Sequence, residues 1–138
     1  MKKCSLSKQE IEKKLIEAGV QPTLQRLALA RYILCEADHP TADEIKIWAE
    51  AHLEKISQAT VYNTLNALVE ANLVRAFRFP HSERLIYDCN ISDHFHFLDE
   101  KTGRIYDLHT DDIGMKIEIP KKFKIKSMDI MLKGEVKN

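Results

Sequence analysis

The chain has 138 residues, enough for one large domain or two small ones. A hydrophobic fraction of 44% and a charged fraction of 30% exclude an intrinsically disordered chain. The formal net charge is zero, and so is that of each half: residues 1–88 carry 12 basic and 12 acidic side chains, and residues 89–138 carry 9 of each. Binding to a polyanion would therefore depend on the local placement of charge.

No apolar run approaches the roughly 20 residues that span a bilayer, and the polar N-terminus lacks a signal-peptide core. We therefore expect a cytoplasmic protein without a membrane partner. The cysteines at positions 4, 35 and 89 are widely spaced, so neither a disulfide framework nor a thiolate zinc knuckle is indicated. Cys35 lies in a helical apolar pattern, which places it in the core, while Cys89 has no assigned role.

Four amphipathic helix patterns fill the first half of the chain. The capping-box spacing of Ser7-Lys-Gln-Glu10 predicts a first helix over residues 7–18. Pro22-Thr23 opens a second helix, and a second capping box, Thr41-Ala-Asp-Glu44, opens a third. The fourth helix is predicted from Gln58 to Asn72.

The outer face of the fourth helix carries small or hydrogen-bonding side chains and no charge before its last turns. Its members are Gln58, Ala59, Thr60, Tyr62, Asn63, Thr64 and Asn66. Gln and Asn match the edge of adenine in the major groove, and Thr or Ala can contact the thymine methyl group. This face is a candidate reader of DNA bases, and the alternative is an ordinary surface helix.

Two strand patterns follow, over residues 73–79 and 84–88. Three helices, a polar recognition helix and a hairpin form the order of a winged helix-turn-helix. Basic side chains on or beside these elements are candidates for phosphate contacts. They are Arg75, Arg78 and Arg84 on the wing, Lys55 before the fourth helix and Arg26 on the second.

A candidate metal site opens the second half. Alternate residues of a strand share one face, so His94 and His96 point the same way. The chain then turns and returns over residues 105–109, which brings Asp107 near His96 across a hairpin. With Asp88, these imidazoles and carboxylates suit Fe(II), Mn(II) or Zn(II). The alternative is a pair of exposed or capping histidines, and the two carboxylates favour the metal site over it.

The rest of the second half predicts a short helix over 111–118 and a strand over 124–132. So few elements bury too little apolar area, and pairing with a second copy would supply more. We expect a homodimer that reads a pseudo-palindromic DNA operator. The expected fold class is α+β, with a winged helix-turn-helix domain over 1–86 and a small α/β dimerisation domain over 87–138.

Four motifs in order resemble the ferric uptake regulator family of metal-dependent transcriptional repressors. They are Pro22-Thr-Leu-Gln-Arg26, His39-Pro-Thr-Ala-Asp-Glu-Ile45, Ser57-Gln-Ala-Thr-Val-Tyr-Asn-Thr-Leu65 and Asp93-His-Phe-His96, within a resemblance that runs from about Val20 to His109. The resemblance implies a regulatory metal site at the hinge between a winged helix and a dimerisation domain. Its ligands would be His39, Asp88, His94, His96 and Asp107, of which His39 comes from the resemblance alone. Metal would then select the DNA-binding arrangement.

Asp107, in place of Glu, is typical of the peroxide-sensing branch of this family, called PerR. The resemblance implies that Fe(II) reacts with hydrogen peroxide and that the oxidant attacks His39 or His94, which releases DNA. Mn(II) would hold the repressor on DNA, and Zn(II) is a substitute for either metal. One alternative is an iron-, zinc- or manganese-responsive regulator without peroxide sensing. A second is a non-haem iron oxygenase, although no substrate-binding motif accompanies the site.

The sequence departs from the family at the structural zinc site. Asp99 and Thr102 stand at the positions of the first Cys-x-x-Cys pair, and the tail after Leu132 has no cysteine, so no structural zinc is expected. An accessory metal site also looks incomplete, because Phe95 stands at a ligand position. His109 is expected to lie on the surface or to support a ligand.

Overall fold

The computed structural model describes residues 6–79, 82–89 and 94–137, apart from the side chain of His94. The chain divides into two compact units, Met1–Ile91 and Ser92–Asn138. The first contains the helices and a two-stranded sheet, and the second is built on a three-stranded sheet. These elements confirm the α+β class. The limits of the predicted DNA-binding domain, 1–86, and dimerisation domain, 87–138, stay a prediction.

Four α-helices of the first unit follow the predicted pattern: α1 (Lys8–Glu17), α2 (Leu24–Arg31), α3 (Ala42–His52) and α4 (Gln58–Glu70). Each begins where a hydroxyl accepts a hydrogen bond from a backbone N–H of the first turn, and these caps are Ser7, Thr23, Thr41 and Ser57. Helix α4 ends earlier than predicted because Asn72 adopts a φ of 60° and turns the chain.

Helix α2 continues into a π-helical segment, Tyr32–Glu36, that the sequence pattern did not predict. The core of the first unit lies among the four helices and is formed by fully buried side chains: Ile11, Leu15, Leu29, Ile33, Ile45, Leu65 and Leu68. Cys35 is also buried there, as predicted. It also takes part in a disulfide bond, which the spacing of the cysteines did not predict.

The wing consists of β1 (Arg75–Phe77) and β2 (Ile86–Asp88), which pair antiparallel. Strand β2 is buried along its whole length. The segment after His39 runs beside β2, because the N–H of Tyr87 donates to the Pro40 carbonyl at 2.9 Å. The start of α3 is therefore fixed to the strand that carries Asp88.

The second unit has the strand order β4-β3-β5, formed by β3 (His94–Asp99), β4 (Ile105–His109) and β5 (Met131–Gly134). Strands β3 and β4 are antiparallel and occur as predicted, while β5 is parallel to β3. The predicted helix over 111–118 is wrong, because only a 3-10 turn, Thr110–Asp112, forms there.

The predicted strand over 124–132 is wrong over most of its length. Strand structure begins only at Met131, and residues such as Ile125 and Met128 are exposed instead of covered. An alternating pattern forms a strand only where a neighbouring strand can pair with it, and in the described part of this unit β5 occupies the open edge of β3.

A side-chain network fixes the turn between β3 and β4. Asp99 is 5% exposed, and its Oδ1 accepts from the Lys101 backbone N–H at 3.0 Å while its Oδ2 accepts from the Thr102 hydroxyl at 2.8 Å. Gly103 completes the turn with a φ of 78°. The Thr102 hydroxyl is the main reason that the pKa of Asp99 lies below its usual value.

Replacing Asp99 by Asn is expected to remove a pH-dependent part of the free energy of unfolding. The pKa of Asp99 is lower in the folded chain than in the unfolded chain, where aspartate has a pKa of about 3.9. The ionised carboxylate therefore stabilises the fold above about pH 4, and this contribution is lost as the pH falls through the folded-state pKa. Urea unfolding at about pH 7 and about pH 3 measures the difference between wild type and Asp99→Asn. A difference that does not shrink at low pH would contradict this role.

Candidate functional site

The hairpin of the second unit brings an imidazole and a carboxylate together. His96 and Asp107 are direct cross-strand partners on β3 and β4. The distance from His96 Nε2 to Asp107 Oδ1 is 3.5 Å, and the side chains are 14% and 30% exposed. The predicted approach of a carboxylate to His96 across the hairpin is confirmed.

The first unit holds a second pair of the same kind. His39 Nε2 lies 3.4 Å from Asp88 Oδ2, and their side chains are only 8% and 5% exposed. His39 precedes α3 and Asp88 ends β2, so the pairing of these two segments brings the side chains together. A carboxylate this deeply buried is stabilised when a cation lies beside it.

The distances between imidazole nitrogen and carboxylate oxygen in the two pairs suit metal ligation. Hydrogen bonds between nitrogen and oxygen are usually about 2.7 to 3.2 Å long, which is shorter than either separation. Two ligand atoms bound about 2.1 Å from one ion at a tetrahedral angle lie about 3.4 Å apart. Imidazole nitrogen and carboxylate oxygen are the donors that Fe(II), Mn(II) and Zn(II) accept. The residues of each pair therefore fit a divalent metal.

Asp38 contacts the first pair, although the sequence pattern did not predict it as a site residue. Its Oδ1 lies 2.7 Å from His39 Nδ1, on the opposite side of the ring from Asp88. The signal available in the sequence was an acidic residue directly before a predicted ligand.

Other candidates for the metal site have separate outcomes. His94 lies in β3, but its side chain is outside the described part of the chain. Cys89 has a free thiol and is half-buried. The His109 side chain is 61% exposed, and its Nδ1 accepts a hydrogen bond from the Asp111 N–H at 3.2 Å, so it lies on the surface as one of the two expectations had it.

The predicted DNA-contact residues belong to the first unit. Five are exposed: Lys55, Gln58, Asn63, Arg75 and Arg78. Three are half-buried: Arg26, Thr60 and Tyr62. Most of the proposed base-reading and phosphate-contacting side chains are thus accessible to a ligand.

The described contacts refine this surface. Thr64 is 1% exposed and donates to the Thr60 carbonyl at 2.7 Å, so its assignment to the outer polar face was wrong. The Thr60 hydroxyl lies 2.8 Å from the Ser57 hydroxyl and takes part in capping α4. Arg78 Nε donates to the Glu83 carbonyl, which holds the arginine on the wing.

No helix in the described ranges is long and apolar enough to cross a membrane.

The model of the ferric uptake regulator family matches residues 17–133. The peroxide-responsive repressor PerR of Staphylococcus epidermidis is 38% identical over 95 residues, which cover 69% of this chain and 63% of that protein. The peroxide operon regulator of Bacillus subtilis is 38% identical over 95 residues, which cover 69% of this chain and 65% of that protein.

The matched segment spans a little under two thirds of the length of these two relatives. Among solved structures, the Vibrio cholerae ferric uptake regulator (Fur) aligns with a TM-score of 0.66 at 21% identity, covering 91% of this chain and 98% of that one. This likeness supports the fold. Because the family model covers most of the residues, the chain belongs to the ferric uptake regulator family.

Proposed function

We propose that this chain is a metal-dependent, DNA-binding transcriptional repressor of the cytoplasm and not an enzyme. The observation that carries the proposal is the presence of an imidazole–carboxylate pair in each unit, with donor atoms 3.4 and 3.5 Å apart. The accessible polar face of α4 and the arginines of the wing support a DNA partner.

The proposed regulatory site takes His39 and Asp88 from the first unit and His96 and Asp107 from the second. His94 is included on the family resemblance. A cation that draws ligands from both units binds more tightly to the arrangement in which all the ligands reach it, so it shifts the population towards that arrangement. Fe(II) or Mn(II) is the proposed corepressor, with Zn(II) as a substitute. No structural zinc is proposed, because Asp99 and Thr102 bond to each other where the family's first cysteine pair would stand.

The proposed DNA contacts divide into base readers on α4 and phosphate contacts on the wing. An operator is first selected from random duplexes in the presence of Mn(II). Replacing Asn63 by alanine is expected to cost about 1–3 kcal/mol on the selected operator and little on unrelated DNA. Replacing Arg78 by alanine is expected to weaken binding to the operator and to unrelated DNA about equally. It should also reduce the slope of log affinity against log salt concentration by about one. Failure to enrich any sequence would contradict the proposal.

The second unit is the proposed site of homodimerisation. Eight of the eleven large apolar side chains exposed in the described part of the chain lie between positions 115 and 136: Met115, Ile117, Ile119, Phe123, Ile125, Met128, Leu132 and Val136. Apolar surface this concentrated on a small unit is typical of a protein interface. A second copy of the chain would also supply the two-fold symmetry that a pseudo-palindromic operator requires.

Sedimentation velocity is expected to show a dimer for the wild type and a monomer for Phe123→Glu combined with Ile125→Glu, because a charge cannot be buried in an apolar interface without a partner. Leu24→Glu is the control, since Leu24 is 79% exposed on the first unit. A dimer that survives the double substitution, or a wild-type monomer at high concentration, would argue against this interface.

We further propose that the signal is peroxide, with His39 and His94 as the oxidised residues. The support is the carboxylate type at Asp107 and the two relatives named for peroxide response. A regulator that responds to iron, zinc or manganese without peroxide sensing would use the same ligands, so oxidation of the histidines separates the two functions.

A further inference from the structure

Two different contacts are made by the two nitrogens of the His39 ring. Nδ1 lies 2.7 Å from Asp38 Oδ1, whereas Nε2 lies 3.4 Å from Asp88 Oδ2. The first distance is that of a strong hydrogen bond to a carboxylate, and the second exceeds the usual range. A neutral imidazole has one N–H and a carboxylate only accepts, so the short contact assigns the ring proton to Nδ1. The lone pair of the neutral ring then lies on Nε2, the nitrogen nearer to Asp88.

The backbone around His39 fixes the point from which its side chain extends. His39 has a φ of 47°, in the left-handed region that residues other than glycine seldom adopt, and it precedes a proline, which restricts its conformation further. The following segment is held to the wing, where the Ala42 N–H donates to the Leu85 carbonyl at 3.2 Å and the Tyr87 N–H donates to the Pro40 carbonyl. Strained backbone of this kind persists where surrounding contacts hold it, and such places often serve binding.

The backbone restraints do not prevent rotation about the side-chain bonds of His39. Asp38 restricts it, because its carboxylate bonds to the ring edge opposite the proposed ligand atom. The Asp38 side chain is 51% exposed while the His39 side chain is 8% exposed. Asp38 therefore lies at the rim of the site, where it contacts Nδ1 and not Nε2, the proposed ligand atom.

We infer that Asp38 is a positioning residue that fixes the Nδ1–H tautomer of His39 and leaves Nε2 as the atom that binds metal. Hydrogen bonding of a ligand imidazole to a carboxylate orients the ring and raises its basicity, and loss of such a partner typically lowers metal affinity about 10- to 100-fold. The inference rests on the proposed function insofar as His39 is a ligand, but the tautomer itself is a property of the metal-free protein.

The test compares three variants. Asp38→Ala removes the acceptor, Asp38→Asn keeps an acceptor oxygen but loses the charge, and Glu50→Ala removes one negative charge from an exposed position on α3. The ring tautomer is read in the metal-free protein by long-range proton–nitrogen NMR, at an alkaline pH where the nitrogen shifts themselves show a neutral ring. The His39 signals are identified by their loss in His39→Gln. Mn(II) affinity is measured by the EPR signal of the free ion.

We expect the Nδ1–H tautomer in wild type, Asp38→Asn and Glu50→Ala, and a shift towards Nε2–H in Asp38→Ala. Mn(II) affinity should fall about 10- to 100-fold in Asp38→Ala, should fall less in Asp38→Asn, and should change less than about twofold in Glu50→Ala. An unchanged tautomer in Asp38→Ala overturns the inference, as does unchanged affinity. If the wild type binds no Mn(II), the proposed function fails, while the tautomer measurement still decides whether Asp38 sets the ring.

Discussion

Replacing His96 by alanine is expected to lower Mn(II) affinity by more than about 100-fold, beyond the loss typical of an outer hydrogen-bond partner. His96 on β3 faces Asp107 on β4, and its Nε2 lies 3.5 Å from the carboxylate. The substitution therefore removes a nitrogen ligand and leaves the Asp107 oxygen as the only proposed ligand of this pair. Isothermal titration with Mn(II) gives the affinity and the number of ions bound. Operator affinity in Mn(II) should fall towards the value measured without metal.

His109→Ala is the matched control for this substitution. It removes a histidine from the same hairpin, but its side chain is 61% exposed and bonds to a neighbouring backbone N–H. Mn(II) affinity should change less than about twofold, since the proposed ligands are intact. Equal losses in the two variants would show that the hairpin as a whole had been disturbed, and unchanged affinity in His96→Ala would contradict the assigned role.

Anaerobic Fe(II)-loaded protein is expected to gain one oxygen atom on His39 or His94 when it is treated with hydrogen peroxide. His39 and His94 would hold Fe(II) in the proposed site, and the bound Fe(II) would supply the oxidising chemistry beside their rings. Oxidation should remove a ligand and lower operator affinity towards the metal-free value. Peptide mass mapping locates the added oxygen, and an operator-binding assay on the same sample measures the release.

Two comparisons make the peroxide experiment specific. Mn(II)-loaded protein treated in the same way should remain unmodified at both histidines and stay on DNA. His52, an exposed histidine on α3, reports oxidation by peroxide free in solution. Equal oxidation of His52 and the ligand peptides would rule out chemistry at the site. No oxidation with either metal would favour a metal-responsive regulator without peroxide sensing.

Local signals were sufficient for the helices and for the hairpin that carries His96. Helix caps depend on residues three positions apart, and Ser7 and Thr41 cap as their capping-box spacing indicated. Thr23 and Ser57 cap α2 and α4 through the same local contact. The pairing of His96 with Asp107 follows from strand alternation and a short turn, both of which are local properties. The four α-helices, the hairpin of β3 and β4 and half of the candidate site could therefore be predicted from residues close in sequence.

Features that depend on distant contacts could not be predicted in this way. His39 meets Asp88 because a segment before α3 pairs with β2, some fifty residues later, and no local pattern contains that pairing. Thr64 is of a polar type that is common on protein surfaces. Its hydroxyl nevertheless donates to a carbonyl of its own helix, and its side chain is buried. The alternation over 124–132 predicted a strand, although in the described part of the unit only its last residues, from Met131, pair with β3.

Titration of Mn(II) into an operator-binding assay at fixed ionic strength tests the central claim most directly, with His96→Ala beside the wild type. Salt must be constant because phosphate contacts alone make DNA affinity depend strongly on it. The account predicts that Mn(II) increases wild-type affinity for the selected operator by about 10-fold or more, corresponding to a coupling of at least about 1.4 kcal/mol, and leaves the variant unchanged. Equal operator affinity of the wild type with and without Mn(II) would contradict it.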